Sequence, residues 1–136
     1  MYYLDTCTVI SILRGELPGF KEKGKTIPPS DIKIPSMVAA ELIAGAYNSP
    51  NTKFNLDLVN GFISTFEIVP FDEYACLTYG KLWADLKKNG KMIKSNDLII
   101  AATVISHGGV LVTNNTRDFD RIIGLRIEDW LDQDTV

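Results

Sequence analysis

Short apolar runs and longer stretches of helical spacing alternate along this chain. Residues 1–4 are apolar and run straight into Asp5 and Thr6, the pattern of a buried strand that ends at a polar turn. Residues 6–14 continue with apolar side chains at helical spacing (Val9, Ile10, Ile12, Leu13). A Gly-, Pro- and Lys-rich connection over 15–35 follows, with room for one short helix and closing on a second strand at 32–35. Ser36 is positioned to N-cap a helix over 36–47. Residues 51–66 are amphipathic, with Phe54, Leu58, Phe62 and Ile63 on one predicted face. Ile68 and Val69 form a third strand closed by Pro70. Asp72 caps a long helix that Gly90 stops, and Ser95 or Asn96 opens another that ends at Gly108-Gly109 with His107 as its cap. Residues 110–113 form a strand that is apolar throughout, as a sheet covered on both faces requires. A last strand is expected at 125–127. Strands alternating with helices mean βαβ units, a mostly parallel sheet and helices on both of its faces. In such a sheet ligands bind at the carboxyl ends of the strands. That address holds Asp5 and Thr113-Asn114-Asn115.

Composition narrows the class without changing this picture. A chain of 136 residues, 46% of them hydrophobic, suits one domain over 1–136 with its own core. No apolar run approaches the ~18 residues of a membrane span. The start, Met1-Tyr2-Tyr3-Leu4-Asp5, lacks a basic leader, and two cysteines make no disulfide framework, so a reducing cytoplasm is expected. Fourteen basic against 17 acidic residues give a net charge of −3, which argues against a cationic coat for nucleic acid but leaves room for a local basic patch.

The chemistry lies in acids set among apolar residues. Glu41 is the only charge over 36–47 and shares a helix face with Val38 and Gly45. Asp97 is the only charge over 95–106. Asp5 closes an apolar strand. A carboxylate turned toward an apolar interior is costly unless it is paired or binds a metal, and neither helical segment contains a Lys or Arg. Two carboxylates ~4 Å apart repel by about 4 kcal/mol at an effective dielectric near 20, and a divalent cation reverses that sign. Oxygen-only donors suit Mg²⁺ or Mn²⁺ rather than Zn²⁺. Each acid also has a plainer explanation. Asp5 reads equally well as a helix cap, Asp97 as a first-turn residue favoured by the helix dipole, and Asp118 as a solvated turn acid. Glu41, in mid-helix, has no capping role. With one His in the chain, a His-based triad or metal site is not expected. The lysines Lys81, Lys87, Lys88, Lys91 and Lys94, opposed only by Asp85, are either a solvated face or phosphate contacts.

Four segments in order then match a known family: Tyr3-Leu4-Asp5-Thr6; Val38-Ala39-Ala40-Glu41-Leu42 with Gly45-Ala46; Asn96-Asp97-Leu98-Ile99-Ile100-Ala101-Ala102; and Leu111-Val112-Thr113-Asn114-Asn115-Thr116-Arg117-Asp118-Phe119. The close, Gly124-Leu125-Arg126-Ile127-Glu128-Asp129-Trp130, fits the same group. Over nearly its whole length the chain resembles PIN-domain ribonucleases, in particular the VapC toxins of bacterial type II toxin–antitoxin modules. The resemblance implies a three-layer α/β/α fold and a Mg²⁺-dependent endoribonuclease, Mn²⁺ substituting, that cuts structured RNA such as tRNA and inhibits translation. It implies Asp5, Glu41 and Asp97 as the core acids and Asp118 as a fourth. Asp5, Asp97 and Asp118 then ligate metal, while Glu41 orients or deprotonates water or completes the metal shell. Thr6 and Thr113 support the site, with Asn115 where some members carry another acid. Cys7 replaces a common Asn, which is expected to alter hydrogen bonding rather than chemistry. Lys87, Lys88, Lys91 and Lys94 are the candidate RNA contacts. The implied partners are RNA, a cognate antitoxin that inserts a basic residue among the acids, and a second copy of the chain. Large side chains around Phe54, Phe62, Tyr79 and Trp83 exceed what one small core needs and agree with pairing. The main alternative is a non-catalytic PIN-like module that binds RNA or protein, which four retained acids oppose. An aspartyl-phosphate phosphohydrolase is disfavoured because Cys7 stands where its second Asp belongs. A receiver domain is disfavoured because Asn114, not Lys, follows the late strand.

Overall fold

The computed structural model describes residues 1–16 and 26–130. Five strands form one sheet: β1 (Tyr2–Leu4), β2 (Ile32–Pro35), β3 (Glu67–Val69), β4 (Val110–Val112) and β5 (Arg126–Glu128). Their order is β3-β2-β1-β4-β5, and every pairing is parallel. The described helices are α1 (Thr6–Leu13), α2 (Ser36–Tyr47), α3 (Thr52–Ile63), α4 (Glu73–Lys88), α5 (Ser95–Ser106) and the single turn α6 (Thr116–Phe119). The α/β architecture is therefore the expected one, with a fully parallel sheet.

Strand composition follows position in the sheet. The central β1 and β4 are short and apolar, and Leu4, Leu111 and Val112 are fully buried. Each edge strand carries an exposed charge, Glu67 in β3 and Arg126 in β5, which blunts edge-to-edge association. Lys33 pairs across the register with Glu67 and ties β2 to that edge. Of the helices, α5 is buried most completely, with Leu98, Ile100, Ala101, Ala102, Thr103 and Val104 all inside, as a helix that is apolar around most of its circumference must be.

The helix ends bear out part of the reading. Asp72 caps α4, its Oδ1 accepting from the Ala75 N–H at 3.0 Å. Gly90 (φ 65°) ends that helix, with the Lys91 N–H donating to the Leu86 carbonyl and the Gly90 N–H to that of Lys87, the paired bonds of a Schellman stop. Gly108 (φ 66°) does the same for α5, after His107 at the cap. Ser36 departs from expectation. It is the first helical residue, Pro35 holds the cap position, and the Ser36 hydroxyl instead accepts from the Phe71 N–H. In α3 the buried stripe is Val59 and Ile63, while Phe54 (67% exposed) and Leu58 face outward, because the i, i+4 pair Val59/Ile63 makes the inward face. Phe62 and Tyr79 pack on the core, so of the four large side chains read as surplus only Phe54 and Trp83 are exposed. The last strand sits one residue later than expected, and Trp130 buries itself beyond it against Tyr2. The connection read as 15–35 contains a 3₁₀ turn at Pro29–Asp31; its stretch 17–25 lies outside the described residues, and so does any test there of the short helix expected within it.

Gly109 needs its lack of a side chain. A Cβ there would run into the ring of Tyr3, a buried residue of β1, and approach the Met1 carbonyl at 3.3 Å. Gly109→Ala is expected to cost roughly 1–3 kcal/mol by overpacking, read as a lower urea midpoint at unchanged m-value.

Candidate functional site

The sheet order reverses at β1. The chain moves outward to β2 and β3, then returns to the other side of β1 with β4 and β5. Leu4 is in register with Val112, so the next residues, Asp5 and Thr113, leave adjacent strands side by side at the switch point. The Asp5 N–H donates to the Val112 carbonyl at 3.0 Å, carrying the ladder one residue past β1.

Asp5 occupies the N-cap position of α1, but its side chain makes no capping bond. Its carboxylate, only 4% exposed, is held elsewhere. Thr113 Oγ1 donates to Oδ2 at 2.7 Å and Cys7 Sγ donates to the same oxygen at 3.2 Å. The Thr113 hydroxyl in turn accepts from the Asn115 N–H at 3.0 Å. The Cys7 sulfur also lies 3.5 Å from the Thr113 hydroxyl, so both groups crowd the same Asp5 oxygen. Among the described residues, Cys7 is thus one of two side chains that hydrogen-bond the Asp5 carboxylate. Its own thiol pKa is raised, first by burial and then by the Asp5 charge. Thr8, one turn into α1, donates to the Val112 carbonyl at 2.9 Å and fixes the helix against β4.

Glu41 comes from α2, which follows β2. Thr6 Oγ1 donates to its Oε1 at 2.8 Å, joining the first turn of α1 to α2. Val38 is buried as expected, but Gly45 is exposed and Glu41 is half-buried. Glu41 therefore sits at the boundary of the apolar face, which lowers the burial cost inferred from its position in sequence.

Asp5, Glu41 and Asp97 line one open cleft of about 500 Å³, together with Thr6, Cys7, Ile10, Lys94, Ser95, Asn96 and Asn115. Asp118 does not line it. Asp118 stands behind Asn115, whose Nδ2 donates to Asp118 Oδ2 at 3.4 Å. Among the basic candidates only Lys94 reaches the cleft; Lys87, Lys88 and Lys91 are exposed outside it. Ser95 and Ile10, read from sequence as a helix start and a helix-face residue, are walls of the cleft.

The charge state of Asp97 reports the crowding. Its pKa is pushed up to about 6, first by burial, then by the charges of Asp5, Glu41 and Asp118, with Lys94 pulling the other way. A first-turn carboxylate gains ~0.3–1 kcal/mol from the helix dipole, which would lower its pKa. The shift runs upward, so burial and three like charges outweigh the dipole and Lys94 together. The plain helix-end reading of Asp97 does not account for that.

The sign for stability follows. Between an unfolded value of 3.8 and the folded value of about 6, the folded state keeps a proton that the unfolded state has lost. Stability therefore falls as pH rises through that window. For a half-exposed group, solvent screening limits the effect to about 1 kcal/mol. In EDTA, thermal melts of wild type and Asp97→Asn across pH 4–7 are expected to diverge, the variant losing less and being at least as stable at pH 7. A variant clearly less stable at pH 7 would return Asp97 to a structural role.

The PIN-domain family model matches residues 2–125. The chain is 38% identical over 129 residues to the tRNA(fMet)-specific endonuclease VapC of Salmonella typhimurium, covering 95% of this chain and 97% of that protein. It is 35% identical over 132 residues to ribonuclease VapC1 of Haemophilus influenzae, covering 96% and 98%. Among solved structures it superposes on DNA-bound VapBC from Salmonella typhimurium with a TM-score of 0.90 at 38% identity, covering 95% of this chain and 97% of that one. VapBC2 from Rickettsia felis, bound to a promoter DNA fragment, gives 0.89 at 32% identity, covering 95% and 98%. With these matches spanning the sheet, the switch point and all four acids, the chain belongs to the PIN-domain family, on its VapC branch.

Proposed function

We propose that this protein is a divalent-metal-dependent endoribonuclease, the toxin of a toxin–antitoxin pair, which cuts structured RNA such as tRNA. The observation that carries the reading is the single cleft at the strand switch point lined by Asp5, Glu41 and Asp97. The VapC names of its full-length relatives support the RNA substrate.

PIN-domain nucleases as a family depend on divalent metal, and the donors here suit one. All are carboxylate oxygens, the set that Mg²⁺ and Mn²⁺ prefer. Among the described residues no three acids are gathered into a ready-made cage. Mg²⁺ does not need one, because it keeps several waters and takes one or two carboxylates plus substrate phosphate oxygens. Asp5 and Asp97 are the ligands of choice, with Asp118 contributing charge from behind Asn115. When bound, the ion supplies charge neutralisation at the phosphate and a water of lowered pKa.

The chain's own groups account for the rest. Both described hydrogen bonds to Asp5 fall on Oδ2, which leaves Oδ1 directed by a fixed carboxylate. Glu41 is anchored through Oε1 by Thr6, so its second oxygen serves to orient the attacking water and take its proton. Water then forms the new P–O bond as the bond to the leaving oxygen breaks, and the leaving oxygen takes up a proton. That proton comes from bulk water, since Asp97, as a metal ligand, is held ionised.

A groove of about 340 Å³ adjoins the cleft and supports the antitoxin half of the proposal. Glu41 borders both, and the groove's walls include Ile10, Leu42, Ala46, Leu58 and Val59. An apolar partner segment seated there would lie one residue away from the acids, where a basic side chain finds its charge-assisted partners. Pairing with a second copy draws support from the exposed Phe54, Tyr74 and Leu77.

Purified protein is expected to cut tRNA in Mg²⁺ or Mn²⁺ and to stop in EDTA. Asp5→Asn, Glu41→Gln and Asp97→Asn should each lower the cleavage rate by about 100-fold or more with the fold retained by circular dichroism. Full activity in Asp97→Asn would overturn the site.

A further inference from the structure

Trp83 on α4 is 41% exposed, and Met92, in the loop that follows, is exposed as well. They are not stray surface residues. With Tyr79 and Ser95 they line a small pocket of about 170 Å³. Ser95 is also a wall of the acid cleft. The two hollows therefore meet at the first turn of α5: the cleft takes Asp97, the pocket takes the neighbouring Leu98, and Ser95 belongs to both.

The segment that carries most of this pocket is cationic in a chain of net charge −3. Over 79–94 five lysines stand against one aspartate. Lys87 holds its Nζ 5.1 Å from the centre of the Trp83 ring, and Lys94 lines the acid cleft on the other side of Ser95. An aromatic ring with a lysine over one face, continuous with a site for phosphate chemistry, matches how proteins hold single-stranded nucleic acid: the base stacks and the lysines follow the backbone. The pocket is smaller than the ~300 Å³ at which whole-ligand sites begin, a size for one planar base rather than a folded peptide segment.

We propose that Trp83 is a stacking platform for one unpaired base of the RNA, next to the phosphodiester held in the acid cleft, and so a substrate-positioning and specificity-determining residue. The proposal rests on the nuclease reading above and adds to it which nucleotide is gripped and by what. It also gives the lysines a division of labour: Lys94 serves the scissile region and Lys87 the phosphate beside the stacked base.

The test uses the full chain. The cut in tRNA is mapped first, and an oligonucleotide spanning it is then compared with versions carrying an abasic site on either side of the cut. Trp83→Ala is expected to lower kcat/KM about 5- to 150-fold, the range that follows from loss of one base stack, with the loss falling on KM and Trp83→Phe recovering most of it. One abasic substrate should reproduce that loss in wild type and add nothing in Trp83→Ala. Tyr47→Ala, at an exposed position outside both hollows, is the control and should cut normally. In an Asp5→Asn background with Mg²⁺, a single-stranded RNA oligonucleotide should quench fluorescence that is missing when Trp83 is also Phe, the buried Trp130 serving as internal background. Unchanged kcat/KM in Trp83→Ala while wild type cuts would overturn the platform and leave the nuclease standing. So would a loss of activity accompanied by a dimer turning into a monomer on light scattering, since Trp83 would then be a subunit contact. Should wild type cut no RNA, the nuclease reading fails by itself and the quenching decides the platform: Trp83-dependent quenching upholds it, and its absence overturns it.

Discussion

Burial, and after it the repulsion of three other carboxylates, holds the Asp97 carboxyl protonated up to about pH 6. Everything else around the site can be understood as managing that repulsion. The acids are carried on separate elements, Asp5 at the end of β1, Glu41 in α2, Asp97 in α5 and Asp118 in α6, so no local segment concentrates the charge. The repulsion is offset by the burial of what carries them. The two strands and two helices nearest the site contribute Leu4, Val38, Leu98, Leu111 and Val112, all fully buried. At ~1.5–3 kcal/mol for each large apolar side chain, a few such residues outweigh the ~1 kcal/mol that the Asp97 shift costs after screening.

Position is maintained by hydroxyls rather than by opposing charges. Thr6 holds Glu41, Thr113 holds Asp5, and Thr8 holds α1 to β4. A lysine or arginine in those roles would cancel the negative field that attracts a cation. A neutral donor fixes the carboxylate and leaves its charge available. The thiol of Cys7 follows the same logic: its raised pKa keeps it neutral beside Asp5, a donor that adds no further negative charge.

Much of this was legible in the sequence, and for identifiable reasons. Asp5 and Thr113 could be placed because an all-apolar strand followed by a polar residue marks a carboxyl end, and the carboxyl ends of a parallel sheet share one edge. Asp97 stood out because it is the only charge in the helix that proved most buried. The misses were questions of rotation and of tertiary partners. Phe54 and Leu58 share a helical face by spacing, yet the inward face is set by what α3 packs against, which one helix does not encode. Ser36 is a competent cap by type, but the Phe71 N–H, 35 residues away, claimed its hydroxyl. Lys87, Lys88 and Lys91 were grouped with Lys94 by closeness in sequence, while only Lys94 reaches the cleft. The share of Ser95 in two hollows had no sequence signal at all, since it depends on how α4 and the loop after it lie against α5.

The bond between Thr113 and Asp5 joins residues 108 positions apart. The central pairing of the sheet, β1 with β4, spans the same interval. During synthesis at ~5–20 residues per second, Asp5 waits on the order of 10 s for its partner to be made. Until then β1 has no β4 beside it, Asp97 has no finished cleft, and long-range parallel pairing is slow to form in any case. Parallel topology thus acts as a timer. A protein with this architecture has no assembled acid cluster while most of it is still being translated.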